Sequence, residues 1–269
     1  MQMKIAIYSY YPNDATRAVI EKLTVALNKA NLSIDDKNPD IVVSVGGDGT
    51  MLSAFHHYRA MLAHVRFVGL HTGHLGFYTD WRDYEIDQLV SSLTHDNGES
   101  VSYPLLDINI TYKGETQPRQ FLALNEATVK KAAKTLVCDV YIKDQLFERF
   151  RGDGLCFSTP TGSTGYNKSL GGAVLHPEIE AIQIAEIASI NNRVFRTLGA
   201  SFVIGKDEWV TLRSEDADNF AITCDQFQTP ERLIKEITFR VSEQRIYFAE
   251  YRHTAFWERV RESFIGDVL

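Results

Sequence analysis

The chain is poor in cysteine. Cys138, Cys156 and Cys224 are odd in number, widely spaced, and form no C-x-x-C pair. That excludes a disulfide framework and a zinc knuckle, and leaves three thiols that read as small apolar side chains in strands. Long apolar runs are missing too. No stretch approaches the roughly 18 apolar residues that a membrane span needs. The apolar run near the start is too short for a secretory signal, so the expected protein is soluble, cytoplasmic and free of the membrane. Basic excess is also absent: 28 Lys and Arg stand against 35 Asp and Glu, for a formal net charge of -7. Such a balance argues against nucleic acid as the main partner, while permitting a locally positive pocket for a small phosphorylated ligand. The one short basic group, Lys130, Lys131 and Lys134, reads as a solvated surface turn. Finally, the chain has no G-x-x-x-x-G-K-[ST] loop, no G-x-S-x-G elbow and no G-x-G-x-x-G fingerprint.

What is present is enough for a substantial core: 269 residues, 44% of them hydrophobic. Residues 1–98 alternate in the βα manner. Residues 4–9, 40–45 (DIVVSV) and 65–70 are strand candidates, and the continuous β-branched run of 40–45 suits a strand buried on both faces. Val19, Leu23 and Leu27 recur at helical spacing, 50–63 follows as a second helix, and 86–93 as part of a third. Strands alternating with helices imply a parallel sheet. After Gly98 the texture changes. Strand candidates succeed one another at 105–112, 121–124, 137–142, 155–158, 209–213, 220–224, 237–241 and 246–251, with a hairpin tip at 113–115. One helix is predicted around 177–189. The sum is an α/β nucleotide-type domain followed by an all-β, sandwich-like domain. At the end, Phe256, Val260 and Phe264 form an apolar stripe on a helix that must dock somewhere, and the first domain is the expected partner. The boundaries read 1–98 for the α/β domain, completed by 252–269, and 99–251 for the sandwich.

The chemistry concentrates in Gly-rich turns. Gly46-Gly47-Asp48-Gly49 sits between a strand and a helix, where glycines let the backbone approach a phosphate and the new helix offers unpaired N–H groups. A carboxylate there repels phosphate. It suits a site that also binds a ribose hydroxyl or magnesium, or accepts a proton, and equally it suits a plain N-cap aspartate. A second turn runs from Gly152-Asp153-Gly154 through Thr159-Pro160-Thr161-Gly162-Ser163-Thr164-Gly165-Tyr166 to Gly171-Gly172. Its hydroxyls, interleaved with glycine, give many small donors on a backbone able to hug a ligand. Asn125-Glu126, at the end of a strand, can clamp ribose hydroxyls or an adenine edge, or be an ordinary turn. In GLHTGHLGF (69–77), His71 and His74 lack a third ligand at convincing spacing, so no metal is expected, and Phe77 and Tyr78 are candidates to stack on a base. The residues alone specify an α/β enzyme that binds phosphate and hydroxyl groups.

Taken together, Gly46–Thr50, Gly73–Phe77, Asn125–Glu126 and Thr159–Tyr166 with Gly171–Gly172 resemble the motifs of the ATP-NAD kinase family, in the family's order and over essentially the whole chain. Gly165 departs from the family's usual alanine, and His71-Thr72 stand where many members carry asparagine. The resemblance implies ATP-dependent phosphorylation of the adenosine-ribose 2′-hydroxyl of NAD, with magnesium or another divalent cation accompanying ATP. It also implies a homodimer or homotetramer in which a neighbouring subunit completes part of the NAD site. Under it, Asp48 becomes the catalytic base or orienting group, and Gly46, Gly47 and Gly49 face the donor phosphates. Asn125 and Glu126 hold the adenosine half of NAD. Thr161, Thr164, Gly165 and Tyr166 line the nucleotide pocket with Ser169 at its edge, and Phe77 joins them. Asp153 meets the nicotinamide end beside Arg151, and Gln226 contacts a ribose. Two rival readings are a lipid kinase of the diacylglycerol-kinase type and a non-catalytic dinucleotide sensor on the same fold.

Overall fold

The computed structural model describes residues 2–73, 76–131, 134–229, 232–252 and 254–266, with the side chains of 215–218 excepted. The chain divides into two compact units, one made of 1–102 and 245–269 and the other of 103–244.

In the first unit, the strands Ser33–Ile34, Lys4–Tyr8, Ile41–Val45 and Arg66–His71 lie side by side in that order, all parallel. Every residue of Ile41–Val45 is buried, as its unbroken apolar run requires. The helix Asp14–Lys29 starts where the Asn13 side chain accepts the N–H of Thr16 at 2.9 Å, and it turns Val19, Leu23 and Leu27 inward as their spacing predicts. The same core takes up Leu89 and Leu93 of the helix Ile86–Thr94. The helix Phe256–Phe264 belongs to this unit and packs Phe256 and Phe264 against Phe77. Of its predicted stripe only Phe256 is buried, and the other buried position is Arg259.

The second unit is built from antiparallel strands. Gln145–Gly152, Leu136–Ile142, Trp209–Asn219 and the strand Leu233–Ala249 pair in sequence, and Ser100–Tyr112 pairs with Leu233–Ala249 and with Arg119–Ala123. A second sheet is ordered Phe202–Gly205, Ala181–Ile187, Gly154–Ser158, Glu126–Lys130, Ala221–Cys224 and Phe227–Gln228. Their inner faces share one core, in which Phe157 stacks on Phe239 at 3.7 Å between ring centroids. This is the expected sandwich, and all three cysteines are unbridged thiols buried within its strands.

Two local expectations are corrected. The helix predicted at 177–189 is the strand Ala181–Ile187, paired on both sides, by Gly154–Ser158 and Phe202–Gly205. Its alanines, glutamate and glutamine favour helix locally, but two flanking strands satisfy its backbone and bury Ile182 and Ile184. The separate strands predicted at 237–241 and 246–251 are one strand, Leu233–Ala249, in which Ser242 stays buried and the chain runs on through the exposed Glu243 and Gln244 where a turn was expected.

Candidate functional site

Two turns of the first unit meet at the carboxyl ends of neighbouring parallel strands, the usual place for ligands in α/β sheets. Gly46 leaves Ile41–Val45 at φ +151° and donates its N–H to Leu70 O of the adjacent strand at 2.9 Å. A Cβ on Gly46 would run into the Thr50 hydroxyl, so glycine is required there on two counts. Gly47, which is exposed, takes the N-cap position of the helix Asp48–Tyr58, and among the described residues no side-chain cap closes that end. The N-cap reading of Asp48 is therefore wrong. Its carboxylate accepts instead from the second turn, from Phe77 N at 2.9 Å and Tyr78 N at 3.0 Å. Gly76 lies so close that a Cβ there would overlap the Asp48 carboxylate. Asp48 remains partly exposed and Gly49 is exposed, so an uncapped helix start and a fixed carboxylate face solvent together. An end of this kind suits an anion, and the carboxylate beside it suits a hydroxyl.

The same turn carries the two candidate stacking rings. The half-buried Phe77 packs against Phe256 and Phe264 at 6.3 and 5.8 Å, and the buried Tyr78 lies flat on Phe248 at 5.9 Å. His71 is buried, with Nδ1 accepting the N–H of Gly73 at 3.1 Å and burial lowering its pKa. His74 lies outside the described residues.

In the second unit the hydroxyl-rich turn is welded to the Asn125–Glu126 turn. Thr161 Oγ1 donates to Leu124 O at 3.0 Å, and Thr159 Oγ1 donates to Leu124 O at 2.6 Å. Ser163 bonds Pro160 O, and Thr164 donates to Thr161 O at 3.2 Å. The hydroxyls predicted to reach a ligand are thus largely spent on the backbone, and they fix the loop's shape. The hydroxyls are visible in the sequence as a cluster, and the fold decides which way they turn.

Around this weld, a methyl on the exposed Gly165 would stand 3.4 Å from Glu126 Oε2. Glu126 Oε2 itself is buried with no hydrogen-bond partner among the described residues, and burial, helped by the neighbouring Asp225 charge, pushes its carboxyl up to about 7. Lys130, read as part of a solvated turn, ends the strand Glu126–Lys130 and donates to the Tyr166 hydroxyl at 3.2 Å. An open cavity of about 700 Å³ gathers Lys130, Lys131 and Lys134 with Asp153 and Tyr166. Arg151 stands over the Phe195 ring at 4.2 Å, Ser169 is exposed at the end of the short helix Tyr166–Ser169, and Gln226 is exposed in the turn before Phe227.

Asp225 is the residue that pattern reading passed over. Its carboxylate collects the N–H groups of Leu124, Asn125 and Glu126 at 2.9, 2.7 and 3.2 Å and so shapes the turn from afar.

Both halves of the chain match known sequence families: residues 11–98 the ATP-NAD kinase N-terminal domain, and residues 124–250 the ATP-NAD kinase C-terminal domain. The chain belongs to the ATP-NAD kinase family. It is 59% identical to the NAD kinase of Levilactobacillus brevis, over 98% of both chains, and 52% identical to that of Enterococcus faecalis, over 98% of this chain and 100% of the relative. Among solved structures, it resembles yeast NADH kinase complexed with NADH, with a TM-score of 0.84 and 17% identity over 98% of this chain and 88% of that one. The NAD kinase of Archaeoglobus fulgidus in complex with ATP gives a TM-score of 0.72 at 24% identity over 97% of each chain. At these identities the two structures show the family's fold. Among the described residues no helix is long and apolar enough to cross a membrane.

Proposed function

We propose that this chain transfers the γ-phosphoryl group of ATP to the 2′-hydroxyl on the adenosine ribose of NAD, giving NADP and ADP. Membership of the ATP-NAD kinase family, and relatives at 52–59% identity that carry the name NAD kinase, support this reading over a lipid kinase or a dinucleotide sensor. The observation that carries the chemistry is the Asp48 carboxylate, held by Phe77 N and Tyr78 N beside an uncapped helix start.

In this mechanism Asp48 accepts the proton of the ribose 2′-hydroxyl as that oxygen bonds to the γ-phosphorus and the bond to ADP breaks. Gly46, Gly47 and Gly49 present backbone to the donor phosphates. Asn125 and Glu126 hold the adenosine half of NAD, within a pocket shaped by Thr161, Thr164, Gly165, Tyr166 and Ser169. Asp153 and Arg151 serve the nicotinamide end, and Gln226 a ribose. Most of the rate comes from positioning, since phosphoryl transfer asks little covalent chemistry of the protein. Among the described residues no group of three His, Cys, Asp or Glu side chains converges on a point. A divalent cation accompanying ATP would offset the charge of its phosphates. The region 1–98 with 252–269 acts as the phosphoryl-transfer domain and 99–251 as the NAD-binding domain. The protein works in the cytoplasm as a homodimer or homotetramer.

The test is coupled NADP formation from NAD and Mg-ATP, with Asp48→Asn in parallel. A fixed carboxylate base contributes roughly 10²–10⁴-fold. Wild type should therefore make NADP, while the variant binds NAD and falls by at least about two orders of magnitude. A variant keeping more than about a tenth of wild-type turnover removes Asp48 from the base role.

A further inference from the structure

The buried face of the C-terminal helix carries a cation. Arg259 is only 5% exposed along its side chain, although the periodicity of Phe256, Val260 and Phe264 predicts an apolar face. A guanidinium so deeply placed is costly unless every donor finds an acceptor. Here Nη1 donates to Phe77 O at 2.7 Å, Gly76 O at 3.1 Å and Thr79 O at 3.4 Å, and Nε donates to Thr254 O at 3.4 Å. Nη2 pairs with the Asp80 carboxylate.

Two of those carbonyls belong to the peptide units that hold Asp48. The unit joining Gly76 to Phe77 accepts from Arg259 at its oxygen and donates to Asp48 Oδ2 from its nitrogen. The next unit, joining Phe77 to Tyr78, accepts from Arg259 and donates to Asp48 Oδ1. A trans peptide points its C=O and N–H in opposite directions, and the described chain has no cis bond. Arg259 and Asp48 therefore sit at opposite ends of the same two dipoles. Each charge favours the orientation that the other needs, and hydrogen bonds coupled in line strengthen one another. Packing alone does not call for this arrangement, since Phe256 already docks the helix on Phe77 and an apolar residue would fill the space without desolvating a charge.

We infer that Arg259 is a positioning residue for Asp48, acting through the Gly76–Phe77 and Phe77–Tyr78 peptide units to hold the carboxylate that takes the ribose proton. The inference rests on the proposed role of Asp48. Lysine cannot reproduce it, because a single ammonium lacks the planar fork that serves several carbonyls and Asp80 at once.

The experiment compares Arg259→Met and Arg259→Lys, each in the wild-type and the Asp48→Asn background. It reads kcat, KM for NAD and ATP, the thermal midpoint, and the amide proton shifts of Phe77 and Tyr78. A displaced catalytic group costs on the order of 10²-fold. Arg259→Met should therefore lose about that much kcat with KM values nearly unchanged, and Arg259→Lys should lose less. The Phe77 and Tyr78 amide protons should shift upfield in both. In the Asp48→Asn background, neither change at Arg259 should lower the residual turnover further, because the group it positions is already disabled. An equal loss in both backgrounds would assign Arg259 to general stability and overturn the inference. A folded Arg259 variant with wild-type kcat would overturn it while leaving Asp48 intact. High turnover in Asp48→Asn alone would overturn both. Should Arg259→Met fail to fold, Arg259→Lys, which keeps the charge beside Asp80, decides the same comparison.

Discussion

Asp225 and Asn125, 100 residues apart in the chain, are joined by a 2.7 Å hydrogen bond from the Asn125 N–H to Asp225 Oδ1. Asp225 adopts φ 51°, a left-handed conformation that aspartate tolerates better than most side chains, and it returns its own N–H to Glu126 O at 2.8 Å. The proposed adenosine clamp is thus a turn closed from outside by a carboxylate. Asp225→Ala strands the N–H groups of Leu124, Asn125 and Glu126. The expected cost is about 2–4 kcal/mol in urea unfolding. In the folded fraction KM for NAD should rise by roughly tenfold, with kcat changed much less, because ground-state binding is what is lost.

Glu126 should make the protein's stability depend on pH. Burial and then the Asp225 charge raise its carboxyl to about 7, above the ordinary value of 4.5. The folded chain therefore holds a proton that the unfolded chain has released. The stabilisation is complete below the unfolded value and is lost as pH rises through about 7. Urea midpoints of the wild type should fall across that window, and Glu126→Gln should flatten the slope. Parallel slopes in the two proteins would assign the titration to another group.

Gly76 should tolerate no side chain. A methyl there overlaps the Asp48 carboxylate, so Gly76→Ala must push the carboxylate away from Phe77 N and Tyr78 N. Turnover should fall on the order of 10²-fold. Circular dichroism should show a folded protein, since the displaced group is partly exposed.

The thiols should be silent in the native state. Burial pushes Cys138 up to about 12, burial likewise raises Cys156, and Cys224 is also an unbridged, buried thiol. A disulfide reagent such as Ellman's should find almost no reactive thiol near neutral pH and all three after denaturation.

Some of this was legible in the residues and some was not, and the division follows the range of the interactions. The strand Ile41–Val45, the helix stripe Val19–Leu23–Leu27 and the glycine turn at Gly46 depend on neighbours within a few residues, so composition and period report them. The strand Ala181–Ile187 has the local composition of a helix, and its pairing partners, Gly154–Ser158 and Phe202–Gly205, are set by topology rather than local propensity. The hydroxyls of Thr159 and Thr161 were visible as a cluster, but their direction depends on where Leu124 O comes to rest.

The sequence by itself determined the two-part architecture, the place of the Gly-rich turns at strand ends, and the carboxylate at position 48. Only the tertiary structure decided what holds that carboxylate. Phe77 N reaches it across 29 residues, and Arg259 grips Phe77 O across 182. Spacing patterns record which face of an element is apolar. They cannot record that a buried arginine is satisfied, because its acceptors are backbone carbonyls that every residue possesses and only the fold brings together.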